Sequence, residues 1–170
     1  MRSMLSLGVL VFLTISCSKF HEGIYIYKDS AYTTQNVSDF EMQHFANYSK
    51  SDKVLIVSTE QKTVENAEGE SVDFKEAAEN LCKRKKLKCD YFDLKDWNAK
   101  SISEIQAKVF QFKNIKFMVI GGSPEAVALA VGTYSKMHHQ PSAEDLKTIL
   151  HDLGIKGEAQ EKTMEKLQAL

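Results

Sequence analysis

Cysteine, proline and long apolar runs are all scarce in this chain. Three cysteines, Cys17, Cys82 and Cys89, show neither CxxC spacing nor a following histidine, which excludes haem attachment and cysteine-based metal sites. Two prolines and eight glycines in 170 residues leave no low-complexity tract, and no internal repeat is visible. Neither charge sign dominates. Twenty-two basic against 23 acidic residues give a net charge of −1, so nothing global points to nucleic acid or an anionic membrane surface. No segment reaches the roughly 20 apolar residues of a membrane-spanning helix. What remains is 43% hydrophobic and 26% charged, enough for one compact domain and too short for two.

The longest uncharged run contains residues 4–15, MLSLGVLVFLTI, preceded by Arg2. Its length suits the apolar core of a signal peptide rather than a span. It ends Leu13-Thr14-Ile15-Ser16-Cys17, which resembles the lipobox of bacterial lipoproteins. That resemblance implies cleavage after residue 16, with Cys17 as the first mature residue carrying lipid, palmitate included. Residues 17–22 would then be the lipidated cysteine and its tether, and residues 23–170 the folded domain. Ser18, not Asp, follows the cysteine, which favours the outer over the inner membrane and a periplasm-facing domain. The other reading is a plain secretory signal, under which Asn36-Val37-Ser38 and Asn47-Tyr48-Ser49 become glycan acceptors. After processing two cysteines remain, Cys82 and Cys89. In an oxidising compartment they are candidates for a disulfide; the alternative is two buried thiols.

Along the mature chain, residues 23–34 alternate around Lys28-Asp29-Ser30 and read as a two-strand element. Ser38 or Asp39 caps a helix reaching Tyr48. Residues 53–58 form an apolar run typical of a strand buried on both faces, and residues 60–70 read as an exposed loop. From Asp73 the period turns helical through Leu87. The run Lys83-Arg84-Lys85-Lys86 suits a solvated helix end, because no aromatics interleave it as on a nucleic-acid platform. Residues 89–94 and 115–120 read as further strands. Between them a helix starts at Ser101 or Ser103, with Ser101 and Glu104 as a capping box. Gly121, Gly122, Ser123, Pro124 and Glu125 turn the chain into a helix reaching Met137, Ser142 caps another, and residues 158–170 form the last. Strands alternating with helices predict an α/β fold: a central parallel or mixed sheet of about four to five strands flanked by helices.

In such folds chemistry sits where a strand passes into a helix. The order of pieces resembles the dual-specificity type of cysteine phosphatase, particularly the bacterial branch of beta-lactamase-hydrolase-like proteins. The resemblance rests on Gly23-Ile-Tyr-Ile-Tyr with Ala31-Tyr-Thr-Thr-Gln35, on the strand at 53–58, and on Tyr91-Phe-Asp-Leu94. It continues through residues 118–134 (MVIGGSPEAVALAVGTY), Ser142-Ala-Glu-Asp-Leu and Leu153-Gly-Ile155. It implies a loop in which a Cys attacks phosphorus and an Arg clamps the phosphate, with an Asp on a neighbouring loop protonating the leaving oxygen. Here the Cys position is assigned to Gly121 and the Arg position to Ala126, and no Cys or Arg follows Cys89. Asp93 and Asp96 stand where the acid belongs. Ser123 is the loop's one hydroxyl, and Ser123-Pro124-Glu125 equally makes a well-formed helix start. His138 and His139 point about 100° apart on a helix, a poor chelating pair.

The expectation is therefore an exported, membrane-anchored binding module with its catalytic pair missing. It would hold to the membrane through Cys17, engage a protein partner, and require no cofactor, metal or nucleic acid. Two alternatives remain: an oxyanion held by the N–H groups of residues 122–125, or an atypical hydrolase using Ser123 or the two aspartates.

Overall fold

The computed structural model describes residues 24–33, 53–58, 63–65, 70–84, 86–112 and 117–170. The expected signal peptide, Cys17, the tether, the helix from Ser38 or Asp39, and both sequons lie outside the described residues. Seven strands and five helices are described: β1 Tyr25–Tyr27, β2 Ser30–Thr33, β3 Lys53–Ser58, β4 Thr63–Glu65, β5 Ser71–Asp73, α1 Phe74–Arg84, β6 Lys88–Asp93, α2 Ala99–Phe110, β7 Phe117–Gly121, α3 Pro124–His138, α4 Ala143–Asp152 and α5 Glu158–Gln168.

Five strands form one sheet in the order β1-β2-β7-β3-β6, and all but β1 run parallel. Strand side chains alternate between the two faces, and here both faces are covered. Ala31, Val54, Ile56, Met118 and Ile120 face α1, where Phe74, Ala78, Leu81 and Cys82 close a smaller core. Tyr32, Leu55, Val57, Phe117 and Val119 face the larger core, built with α2 to α5. The expected α/β architecture of a five-stranded mixed sheet flanked by helices is therefore present.

Helix α3 is the central helix, with residues 126–135 all buried. It tolerates this because its neighbours come close. A Cβ on Gly132 would stand 2.5 Å from Leu167 Cδ2 on α5. At its far end Tyr134 stacks on Phe117 with ring centroids 4.4 Å apart, and its hydroxyl donates to Asp29 in the β1–β2 turn at 2.9 Å. Tyr32 likewise donates to Asp152 of α4 at 2.9 Å. Both phenols are pushed well above their ordinary range, first by burial and then by the carboxylates they face. A pKa raised on folding contributes stability that is complete below the unfolded value and lost above it. The unfolding midpoint is thus expected to hold up to about pH 10 and to fall beyond it. Tyr32→Phe should flatten that fall in a series of thermal melts.

Two local expectations need correction. Residues 60–70 are not all loop: β4 and β5 pair antiparallel as a small hairpin, with Val64 opposite Val72. Helix α2 is capped not by Ser101 or Ser103 but by Asn98, whose side chain accepts from the N–H groups of Lys100 and Ser101. Ser101 is the returning partner of that box, accepting from the Asn98 N–H at 2.9 Å. The Ser142 cap is as expected, its box closed by Asp145.

Candidate functional site

The parallel strands all end at one edge of the sheet, where Ser58 pairs with Asp93 and Val57 with Gly121. Only Gly122 and Ser123 separate β7 from α3. Ser123 is extended (φ −149°, ψ 151°) and accepts from the Ala126 N–H at 3.2 Å, which makes it the N-cap, with Pro124 in the first turn. This bears out the reading of Ser123-Pro124-Glu125 as a helix start. The Gly122 N–H donates to the Val57 carbonyl at 2.9 Å, and Pro124 has no N–H to offer. Two of the four nitrogens in residues 122–125 are thereby unable to hold an anion.

Gly121 lies against α3 with no space above its Cα. A Cβ there would stand 2.0 Å from Val127 Cγ2 and 3.3 Å from the Ser123 carbonyl. Val127 is itself fully buried. The family's signature has five residues between its Cys and Arg, and five stand between Gly121 and Val127. On the register that puts the Cys position at Gly121, the Arg position then falls on Val127, one residue beyond the Ala126 of the sequence-based assignment. Ala126 is also fully buried. The two positions that would carry nucleophile and clamp are a glycine and an aliphatic side chain packed on each other.

Glu125 does not leave an uncompensated charge at the turn, because Lys166 of α5 pairs with it at 2.5 Å. Asp93 is two strands from Gly121, roughly 10 Å at ordinary strand spacing. It is exposed and paired with Lys95 at 3.3 Å. Neighbouring Tyr91 is raised above the usual phenol range by burial and then by Asp93. Asp96 is exposed, and its carbonyl accepts from the Ser101 hydroxyl beside the α2 cap. The structure thus puts both aspartates at the site's edge of the sheet without bringing either onto the turn.

Cys82 and Cys89 are joined as a disulfide, with Cα atoms 6.3 Å apart, tying α1 to β6. His138 and His139 sit at the opposite end of α3, about 22 Å from Ser123 along the helix. His139 pairs with Asp29 at 2.6 Å, and the His138 ring packs on Tyr134. Neither can activate Ser123, and no metal-ligand group occurs among the described residues. No helix among them is long and apolar enough to cross a membrane.

A cavity of about 600 Å³ opens beside the turn. Its polar lining is Ser123 and Glu125 from the start of α3, Lys156 from the α4–α5 connection, and Lys162, Thr163 and Lys166 from α5. The sequence reading missed these α5 residues. Their signal was the spacing of Lys162 and Lys166 on one helix face.

No family model matches this sequence, and no curated protein matches it. Solved structures do match, phosphatases among them. Human DUSP28 superposes with a TM-score of 0.56 at 7% identity, over 88% of this chain and 94% of its own. Tk-PTP in its active form gives 0.51 at 10% identity, over 87% and 97%. The chain has the fold of dual-specificity and tyrosine phosphatases. At such identities the likeness is one of fold.

Proposed function

We propose that this chain is an exported lipoprotein, anchored by lipid on Cys17, whose phosphatase-like domain binds without catalysing phosphoryl transfer. Residues 1–16 are the signal peptide, residues 17–22 the lipidated cysteine and tether, and residues 23–170 the domain, derived from the bacterial beta-lactamase-hydrolase-like branch. The observation that carries the non-catalytic reading is the packing of Val127 over Gly121. Covalent phosphatase chemistry needs a nucleophile aimed at phosphorus and a guanidinium around its oxygens. Neither residue type occurs in the sequence after Cys89. Ser123 is a poor substitute, since its oxygen caps α3.

Support for export comes from two directions. The apolar segment is followed by a lipobox-like end. A disulfide in the domain also suits an oxidising compartment. Metabolic labelling with a palmitate analogue tests the anchor. The full precursor in a bacterial host is expected to incorporate label and sediment with membranes. Cys17→Ala should lose the label and leave the membrane fraction. An unlabelled precursor would remove the anchor from the account. A protein partner at the membrane remains the expected ligand, and cross-linking of the anchored form is the way to find it.

A further inference from the structure

We infer that the lysine-lined cavity beside α3 receives the phosphate headgroups of anionic lipids in the membrane to which the chain is anchored. The inference rests on the proposed lipid at Cys17 for orientation, and on the cavity itself for chemistry.

Orientation follows from strand register. Strand β1 runs opposite to its neighbours, with Tyr25 facing Tyr32 and Tyr32 facing Val119. Ile24, where the described chain begins, therefore lies level with Thr33 and Ile120. That is the edge of the sheet at which Gly121 turns into α3 and the cavity opens. Two strand spacings, about 10 Å, separate the two points laterally. The seven peptide steps from Cys17 to Ile24 reach at most about 25 Å when fully extended. A lipid on Cys17 therefore tethers the domain from its cavity end, the end opposite Asp29 and His139.

The cavity lining is cationic in a chain whose net charge is −1. Three ammonium groups, Lys156, Lys162 and Lys166, face one carboxylate, Glu125, in the lining. Three positive charges less one negative leave +2. Lys166 is held by Glu125, so it forms the floor and contributes little to a ligand. Lys162 pairs with Glu158 at 2.6 Å, but that pair is exposed and gives way cheaply. Lys156 is exposed and has no ion pair among the described residues. The start of α3, which opens on the same cavity, adds its positive end. Lys156 and Lys162 are thus the groups offered to a headgroup phosphate.

The test uses the mature chain, residues 17–170, carrying Cys17→Ser so that no lipid contributes. Sedimentation with vesicles of phosphatidylglycerol and phosphatidylcholine is compared with binding to vesicles of phosphatidylcholine alone. Binding to the anionic vesicles only is expected, falling about fivefold for each surface lysine removed, so about 25-fold for Lys156→Ser with Lys162→Ser. Both side chains are exposed, so the fold should survive, and the thermal midpoint verifies it. A control removing Lys83 and Lys88, exposed lysines at the opposite end of the sheet, should change binding little. Equal binding to both vesicles, or an equal loss from the control pair, would overturn the inference. So would a midpoint raised by millimolar inorganic phosphate without vesicle binding, which would make the cavity a site for a soluble anion. Because Cys17 is absent from this measurement, its outcome is independent of the palmitate labelling that tests the anchor.

Discussion

Gly121→Cys should destabilise the domain by about 2–3 kcal/mol and confer no phosphatase activity. The substitution restores the family's nucleophile by residue type, but the added Cβ falls 2.0 Å from Val127 Cγ2. Real side chains do not approach so closely, so Val127 or the turn must move. Overpacking of a buried site costs roughly 1–3 kcal/mol, and this contact belongs at the upper end because the turn is also pinned by the Gly122 bond to Val57. In a domain of this size the thermal midpoint should fall by about 5–10 °C. Val127→Ala alone should also destabilise, because it opens a cavity at a fully buried position. In the Gly121→Cys background it should instead be stabilising. That reversal of sign is what direct contact predicts, and a double-mutant cycle of thermal melts measures it. Additive losses would show that the two positions do not touch.

Reduction of the Cys82–Cys89 bond should cost about 2–3 kcal/mol. The bond closes an eight-residue loop, for which the lost chain entropy of the unfolded state predicts about 2.5 kcal/mol. It joins the end of α1, which covers one face of the sheet, to the edge strand β6. Melts with and without a reductant should differ by about 5–10 °C, and Cys82→Ala with Cys89→Ala should remove the difference. No response to reductant in the purified mature chain would mean that the thiols are free, and the support they lend to an oxidising compartment would go with it.

The middle of the sheet was legible from sequence because strands β3 and β7 are apolar on both faces. The runs at 53–58 and 117–121 have almost no polar residue, and only a strand covered on two sides is built that way. Helices α3 and α4 were legible through Ser123-Pro124-Glu125 and Ser142 with Asp145, where capping chemistry is local. The β4–β5 hairpin was not, because its six residues carry few apolar positions to alternate. At α2 the sequence offers Ser101 or Ser103 as the cap, with Ser101 and Glu104 spaced as a box. Asn98 wins because its amide reaches two N–H groups at once, and Ser101 still takes part from the other side. For the site, the loss of Cys and Arg could be read directly. That Val127 fills the space over Gly121 could not, because it depends on how α3 leaves a two-residue connection. The spacing of Lys162 and Lys166 puts them on one helix face, but that this face meets Lys156 and the start of α3 depends on how α5 packs, which no local pattern announces.

The central claim is that this phosphatase-like domain does not catalyse, and turnover of a phosphomonoester tests it most directly. The purified, disulfide-intact mature chain would be incubated with an aryl phosphate, and Ser123→Ala and Asp93→Asn variants would be measured in parallel. Release of phenolate at the buffer rate from all three proteins is the predicted result. Saturable hydrolysis by the wild-type chain, diminished by either substitution while the fold is kept, would contradict it and make the turn after β7 an active site of a different chemistry.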